Sequence, residues 1–454
     1  MSETSEYSGL PGNWAQLTPE EKRRHRLNGY LNTEGKVFID SEAEKAYKRR
    51  AQRMADVLNV EEPDVVPVIL PVGNLPLSLH GLNAHTAMYD HEKAIQAYMK
   101  FNEQYSAELE HFAVPMLSSG RALDILDYKI YKWPGHGMPE NASGWQYLEG
   151  EYMSDDEYDD LLRDPSDFWL RIYLPRVFGA LEPVKTFQPF TNITENVHVG
   201  QLLLPLSSSP MQQMLQKMLD AGKEYRTLTE LTAEYAGTGV TRGFPVMGSI
   251  FCKAPFDTLG DTLRGTKGII NDMFRHPDKL LEALDMIADL TISTALRSPN
   301  FESAVMAGYP LHKGADGWMS QEQFDTFYWP SLKKVMNALI QEGLIQRLFA
   351  EGGFNTRLES VNEFPKGTVM WHFDKSDMFK AKKILGEKCC IQGNVPSALT
   401  ITGAQSEVKE YCRKLIEGCG KGGGFILSAG AVGDVGKLEN IRAMLEAVRE
   451  YGVY

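Results

Sequence analysis

Two apolar runs in the C-terminal half of the chain end in side chains that can do chemistry. Ile345-Gln-Arg-Leu-Phe-Ala350 runs into Glu351-Gly352-Gly353, and Thr368-Val-Met-Trp371 runs into His372-Phe373-Asp374. A third run, 303–308, leads into Tyr309-Pro-Leu-His312-Lys313. A carboxylate or imidazole that ends an apolar strand loses water, and an uncompensated charge is costly there. Either a metal ion or a mutual hydrogen bond would compensate it. Glu351, His372 and His312 offer one carboxylate and two imidazoles, a donor set that suits a divalent metal in a site left open for substrate. A histidine at a strand end also serves as an ordinary structural residue, so both readings stand. Tyr309 and Lys313 flank His312 as candidate substrate contacts. Asp127, which follows the run 122–126, is a candidate general acid or base or a hydrogen-bond anchor. Asp316 precedes Gly317 and reads as a turn residue. Gly393-Asn394 before Val395-Pro396 ends another apolar run in a sharp turn, and Asn394 is a candidate substrate contact beside its turn role.

Chemistry at strand ends needs strands to hold it. From Pro63 onward, short apolar runs alternate with amphipathic stretches of helical period. Buried strands are expected at 65–70, 122–126, 244–252, 302–308, 345–351, 368–373, 389–394 and 424–430, with helices such as 277–290, 321–342 and 405–419 between them. Eight such alternations predict an α/β fold, a (β/α)8 TIM-type barrel, over an open doubly wound sheet. No Gly-x-Gly-x-x-Gly follows the first strand, and the glycine-rich stretch 420–424 enters a strand instead of leaving one. In such a barrel the chemistry sits at the carboxyl ends of the strands, where Glu351, His372 and His312 stand.

Residues 1–62 read as an N-terminal helical extension. Thr18-Pro19-Glu20-Glu21 combines an N-cap, a first-turn proline and a capping-box glutamate, and a second helix should start after Asp40-Ser41 and run to Leu58. The basic cluster Lys22-Arg23-Arg24-His25-Arg26 reads as a solvated helix face. Residues 63–454 then form the barrel, broken after the second strand by a long insertion at about 128–241. Its aromatic and acidic stretches, Tyr128 to Gly137 and Trp145 to Met153, predict a roof over a pocket, with Tyr128, Trp133 and Tyr147 as substrate contacts. A solvated flap of structural aromatics is the plainer alternative.

Composition works by exclusion. The 454 residues are 43% hydrophobic and 24% charged, an ordinary globular balance. With 47 basic and 60 acidic residues the net charge is −13, which disfavours nucleic acid and anionic membranes as partners. The five cysteines, Cys252, Cys389, Cys390, Cys412 and Cys419, include no Cys-x-x-Cys pair, against a disulfide framework or a four-cysteine zinc site. No apolar run reaches the roughly 18 residues of a transmembrane helix. The polar start Met1-Ser-Glu-Thr-Ser-Glu6 lacks the order of a signal peptide, and a cytoplasmic location is expected.

Several segments carry a resemblance. Gly248-Ser-Ile-Phe-Cys-Lys-Ala254-Pro255-Phe256, Leu348-Phe-Ala-Glu-Gly352, Ile391-Gln-Gly393-Asn394 and Gly423-Gly-Phe-Ile-Leu427 with Leu438-Glu-Asn440-Ile resemble the uroporphyrinogen decarboxylase superfamily. The likeness covers the chain from Pro63 onward, is strongest after Thr241, and implies the barrel. The superfamily includes the decarboxylase and the corrinoid-linked methyltransferases. The decarboxylase's arginine-rich segment corresponds here to residues 70–81, which hold no arginine. Its binding tyrosine falls at Asp261, its serine near Gly314 and its C-terminal histidine at Ala431; only Asp127 matches a catalytic position. Relatives that methylate thiols carry a His-x-Cys zinc motif where this chain has Phe349 and Glu351, and a later cysteine where it has Gly430. The O-demethylating relatives use a Glu/Glu/His zinc set. Its last two members would be Glu351 and His372, with twenty residues between them; its first falls at Met336, for which His312 substitutes.

The resemblance therefore implies a Zn2+-dependent methyltransferase of anaerobic metabolism. It would move a methyl group from a small donor, such as a methoxylated aromatic, to the cobalamin of a separate corrinoid protein, and a homodimer is the expected assembly. A lyase or decarboxylase acting on a small non-porphyrin substrate through Asp127 and His312 is the alternative. A non-catalytic binding protein on the same barrel is the third reading.

Overall fold

The computed structural model describes residues 9–430 and 436–454. Its strands, in chain order, are β1 (Val68–Ile69), β2 (Tyr131–Pro134), β3 (Gly137–Met138), β4 (Gln146–Tyr147), β5 (Ser249–Phe251), β6 (Met306–Leu311), β7 (Ile345–Ala350), β8 (Val369–Phe373), β9 (Cys390–Val395) and β10 (Phe425–Ala429). Seven of them form one parallel sheet in the order β1-β10-β9-β8-β7-β6-β5, curled into a half-barrel, and β3-β2-β4 form a small separate sheet. Every residue of β8, β9 and β10 is buried, the pattern of parallel strands covered on both faces. Helices cross between them, among them Pro277–Leu296, Trp329–Gln341 and Gln405–Cys419.

The outer face of the sheet carries the main core. Tyr309, Leu311, Leu348, Ala350, Trp371, Phe373, Ile391 and Leu427 pack there with Leu332, Val335, Met336 and Leu339 of the helix Trp329–Gln341. The inner face is closed at the amino ends of its strands by a different set. Met306, Ile345, Met370, Cys390 and Ile426 pack against Leu27, Tyr30, Tyr47, Ala51 and Leu58 of the helices Pro19–Leu31 and Ser41–Leu58. The N-terminal helices are thus the floor of the half-barrel. Both start as expected, the first on a complete Thr18–Glu21 capping box and the second on Asp40, whose side chain accepts from the Ala43 N–H.

The solvated-face reading of the basic cluster fails for two of its members. Arg26 is 4% exposed and donates to the carbonyls of Phe301 (2.7 Å), Ala304 (2.6 Å) and Glu342 (2.9 Å). Lys22 pairs with the Glu342 carboxylate at 2.8 Å. Carbonyls left open at the feet of the strands need donors, and these side chains supply them.

The expected second strand is also corrected. Residues 120–126 form a helix, Gly120–Leu126, capped by the Ser119 side chain, which accepts from the Ala122 N–H at 3.1 Å. A short apolar run fits a helical turn as well as a strand, and the capping serine decides between them. The strand-like alternation falls just before it, at 112–117, where Ala113 and Pro115 are buried while Val114 and Met116 are exposed. The backbone of Ala113 is bonded by side chains instead of a neighbouring strand: its N–H donates to Asn102 Oδ1 at 2.8 Å, and its carbonyl accepts from Asn102 and Tyr235.

Residues 128–241 hold the small sheet and end in the long helix Ser209–Thr241. Among the described residues, no helix is long and apolar enough to cross a membrane, and all five cysteines are free and buried. Residues Met1 to Glu6 lie outside the described residues.

Candidate active site at the strand ends

The site begins where β5 ends. The chain leaves the strand through Lys253, makes one helical turn at Pro255–Asp257, then a π-helical turn at Thr258–Leu263. Asp257 and Asp261 are set by these two turns, and wide turns of this kind recur at functional sites. Asp257 is fully buried and accepts three hydrogen bonds: from the His312 N–H (3.0 Å), the Lys313 N–H (2.9 Å) and the Tyr328 hydroxyl (2.7 Å). It clamps the end of β6 and so fixes where the His312 side chain starts. Burial and the neighbouring Asp261 push the Asp257 carboxyl up from its ordinary value.

Asp261 is the hub. Its carboxylate meets Lys253 Nζ at 2.9 Å, Lys313 Nζ at 2.9 Å and His312 Nδ1 at 2.6 Å. Burial acts to raise its pKa, but these three donors hold it well below the usual carboxylate range. His312 responds in the opposite sense. Burial opposes its charge, yet Asp261, Asp257 and Glu351 outweigh that and raise its pKa. With Nδ1–H donated to Asp261, the other ring nitrogen faces outward, 3.7 Å from Glu351 Oε1. The Glu351 carboxyl is itself pushed up, by burial first and then by Asp257, Asp374 and Asp261, with His312 opposing. An imidazole whose charged form is favoured thus hangs at the carboxyl ends of β6 and β7 between two carboxyl groups.

The roof attaches to this hub. The Tyr147 hydroxyl donates to the Asp261 carbonyl, the Thr266 N–H donates to Glu149, and Lys313 Nζ donates to Thr266 Oγ1 at 2.9 Å. Tyr131 meets Tyr147 edge-on with ring centroids 5.3 Å apart, and Tyr128 stacks between Tyr131 (5.9 Å) and Phe178 (4.7 Å). Of the aromatic residues singled out in the sequence, Tyr147 and Tyr128 belong to this wall. Trp133 does not: it is fully buried, stacked on His136 at 4.1 Å, with its indole N–H donated to the Tyr89 hydroxyl.

Other candidates are carried elsewhere by strand alternation. Tyr309 points to the outer face and donates to Gln346 Oε1 at 2.7 Å, because it is out of phase with His312 along one strand. Asn394 is a turn fastener, donating to the carbonyls of Ser376 (2.7 Å) and Asp374 (3.2 Å). Asp316 accepts from the N–H groups of Asn355 and Thr356, as a turn residue should. Asp127 stands at the C-cap of the helix Gly120–Leu126 in the left-handed region (φ 52°), not at a strand end, and its ionic neighbour is Lys129 at 3.9 Å. Lys313 is at the site, tied to Asp261 and lying over the Trp318 ring at 5.5 Å.

A model of the uroporphyrinogen decarboxylase (URO-D) family matches residues 214–451, more than half of the 454. The chain belongs to the uroporphyrinogen decarboxylase family. Among solved structures it is similar in fold to a methyltransferase from Methanosarcina mazei, with a TM-score of 0.53 at 15% identity, over 89% of this chain and 98% of that one. No curated protein sequence matches it.

The metal set expected of this URO-D family chain is assembled only in part. His312 and Glu351 are brought together. His372 is not joined to them: it registers with Phe349, two residues before Glu351, and its Nε2–H donates to the Ala429 carbonyl at 2.9 Å. Met336 is fully buried in the outer core. Among the described residues no three His, Cys, Asp or Glu side chains are grouped so as to hold a metal ion. The residues present therefore supply two donors of suitable chemistry and do not fit the three-ligand centre. The decarboxylase histidine position, Ala431, lies outside the described residues.

The residues that sequence reasoning missed are Lys253, Asp257 and Asp261. Asp261 entered only as the place of an absent URO-D tyrosine. The available signal was a lysine closing an apolar strand, followed at four-residue steps by two acids, which one turn of helix would bring to one side.

Proposed function

We propose that this URO-D family chain is a methyltransferase that takes a methyl group from a small donor, in the first place a methoxylated aromatic, and passes it to a corrinoid carried by a separate protein. The observation that carries the reading is His312, with Nδ1 fixed by Asp261 and Nε2 turned toward Glu351 at the mouth of the half-barrel. The oxygen of a methyl ether is a poor leaving group until it is protonated, and a positioned general acid speeds its departure by roughly 10²–10⁴-fold. His312 gives its Nε2 proton to the departing oxygen while the O–CH3 bond breaks. A Co(I) corrinoid supplies the electron pair that takes the methyl carbon. Asp261 holds the imidazolium in one orientation, and after release Glu351 relays a proton from water back to the ring.

Charge at the mouth weighs against porphyrinogen decarboxylation. Asp257, Asp261, Glu351 and Asp374 surround it, while Lys253 and Lys313 are both committed to Asp261. A polycarboxylate would meet repulsion there. The alternative lyase also lacks its proton-transfer pair, because Asp127 is not a partner of His312. The step above uses side chains alone, since the donors do not fit the three-ligand Zn2+ centre. We take the sheet as the core of a (β/α)8 barrel, residues 112–117 as the segment in the place of its second strand, and 128–241 as the roofing insertion.

Anaerobic incubation with cob(I)alamin and 4-methoxybenzoate or methoxybenzene tests the reading. The expected result is methylcob(III)alamin and the matching phenol in equal amounts, with at least a hundredfold loss in His312→Gln. Zinc content and the effect of a chelator are measured alongside. Absence of methylcob(III)alamin with every methoxylated donor, or carbon dioxide release without any corrinoid, would sink it.

A further inference from the structure

Deeper than His312, the inner face holds a cation that no described residue partners. Along β7, Ile345, Arg347 and Phe349 face inward while Gln346, Leu348 and Ala350 face the outer helices. Arg347 lies beside Gly308 of β6 and Met370 of β8. No other lysine or arginine stands on the seven strands. Among the described residues its guanidinium has no hydrogen bond, ion pair or ring contact, and burial drives its pKa down from the ordinary value. Arg347 is half-buried, so its guanidinium keeps only part of its water, and an anion that took the place of that water would gain its charge and its planar donors together.

Two acceptors wait beside it. His372 is 3% exposed, and because Nε2–H donates to the Ala429 carbonyl, its Nδ1 is a lone pair; that atom is buried and has no partner among the described residues. Burial pushes the ring down to about 4, and the Arg347 charge adds to the effect, so the ring is neutral. Gln392, in register with His372, donates to Ser428 Oγ at 3.0 Å and leaves its Oε1 buried, with no donor among the described residues. Above these groups the wall is apolar. The Phe349 ring lies 4.7 Å from that of His372, and Phe251 of β5, on the same inner face, is 76% exposed. Glu351 is four residues up the strand, about 13 Å at 3.3 Å per residue.

We propose that the inner face binds a substrate bearing one carboxylate, held by the Arg347 fork. A hydroxyl or N–H of the substrate next to that carboxylate donates to His372 Nδ1 or Gln392 Oε1. An apolar body the size of one aromatic ring fills the space along Phe349 and Phe251, and the far end reaches His312 and Glu351. The identity of the reacting end rests on the methyltransferase reading; the anion-binding floor does not. Arginine suits the task because its planar donors match both carboxylate oxygens at once.

Calorimetric titration of the full chain with benzoate and with benzamide, its neutral isostere, needs neither corrinoid nor metal. Benzoate should bind at least tenfold more tightly. Arg347→Met should abolish the preference and Arg347→Lys should keep part of it, with folding checked by circular dichroism and melting. Equal binding of the two probes to the wild type, no benzoate binding at millimolar concentration, or an unchanged preference in Arg347→Met overturns the proposal, and the wild-type comparison decides even if the methionine variant does not fold. A benzoate preference with no methyl transfer from any donor upholds this floor and removes only the methyltransferase reading. Methyl transfer from methoxybenzene with no benzoate preference does the reverse.

Discussion

Asp261 Oδ2 and His312 Nδ1 are 2.6 Å apart, and this contact ties the turn after β5 to the end of β6. The ring's charge, tautomer and direction all depend on it. Asp261→Asn should lower the His312 pKa toward its ordinary value, remove the fixed orientation, and cut methyl transfer by about tenfold to a thousandfold. The activity profile should lose its alkaline side first, because less of the ring stays protonated there. An NMR titration of the His312 ring in both proteins checks the cause apart from the rate.

Two histidines should leave opposite marks on stability. The raised His312 pKa gives stability that is complete below the unfolded value of about 6.5 and is lost as pH rises through the folded value. His372, held down to about 4, does the contrary: between about 6.5 and 4 the unfolded chain binds a proton that the folded chain refuses, so stability falls as pH falls. Urea unfolding from pH 4 to 9 should give His372→Gln a flatter acid limb, by up to about 3 kcal/mol at pH 4. For His312→Gln, the deficit against wild type should shrink as pH rises.

Asp257 should matter more for folding than its neighbours at the mouth. Its replacement by alanine leaves the His312 and Lys313 N–H groups and the Tyr328 hydroxyl without their acceptor in a buried place. The expected loss is about 3 kcal/mol or more, against about 1 kcal/mol for Tyr328→Phe. Denaturant midpoints for the two variants test the order, and equal midpoints would show that the clamp is not used.

The floor should be inseparable from the sheet. Arg26→Ala strips donors from the carbonyls of Phe301, Ala304 and Glu342 and should cost about 3 kcal/mol. Removal of residues 1–62 should leave an aggregating chain, since Ile345, Met370 and Ile426 lose their cover. A well-folded monomer of the truncated chain, measured by gel filtration and melting, would contradict this.

Much of the frame was legible because it is local. The capping box at Thr18 and the runs around 345–350 and 369–373 state their elements within a few residues, and seven of the eight expected strands form near their places. The stretch 120–126 misled because apolar spacing over seven residues does not separate a turn of helix from a strand. His312 and Glu351 were legible as strand-end residues. Asp261 was not, because its value comes from a π-helical turn and from Lys253 and Lys313 converging on it. Arg347 is hidden for a similar reason: among apolar neighbours it looks like a strand residue, and what marks it is that, among the described residues, no hydrogen bond or ion pair reaches its guanidinium.

The helices Pro19–Leu31 and Ser41–Leu58 have a kinetic consequence. They stop the bore at one end, so there is no through traffic from that side, and whatever enters from the mouth must leave by the route it came. On the proposed methyltransferase reading, a donor seated low and a corrinoid protein seated over the rim would not exchange independently. The order of arrival would then be compulsory, donor first and acceptor second, and the spent donor would stay captive until the acceptor departs.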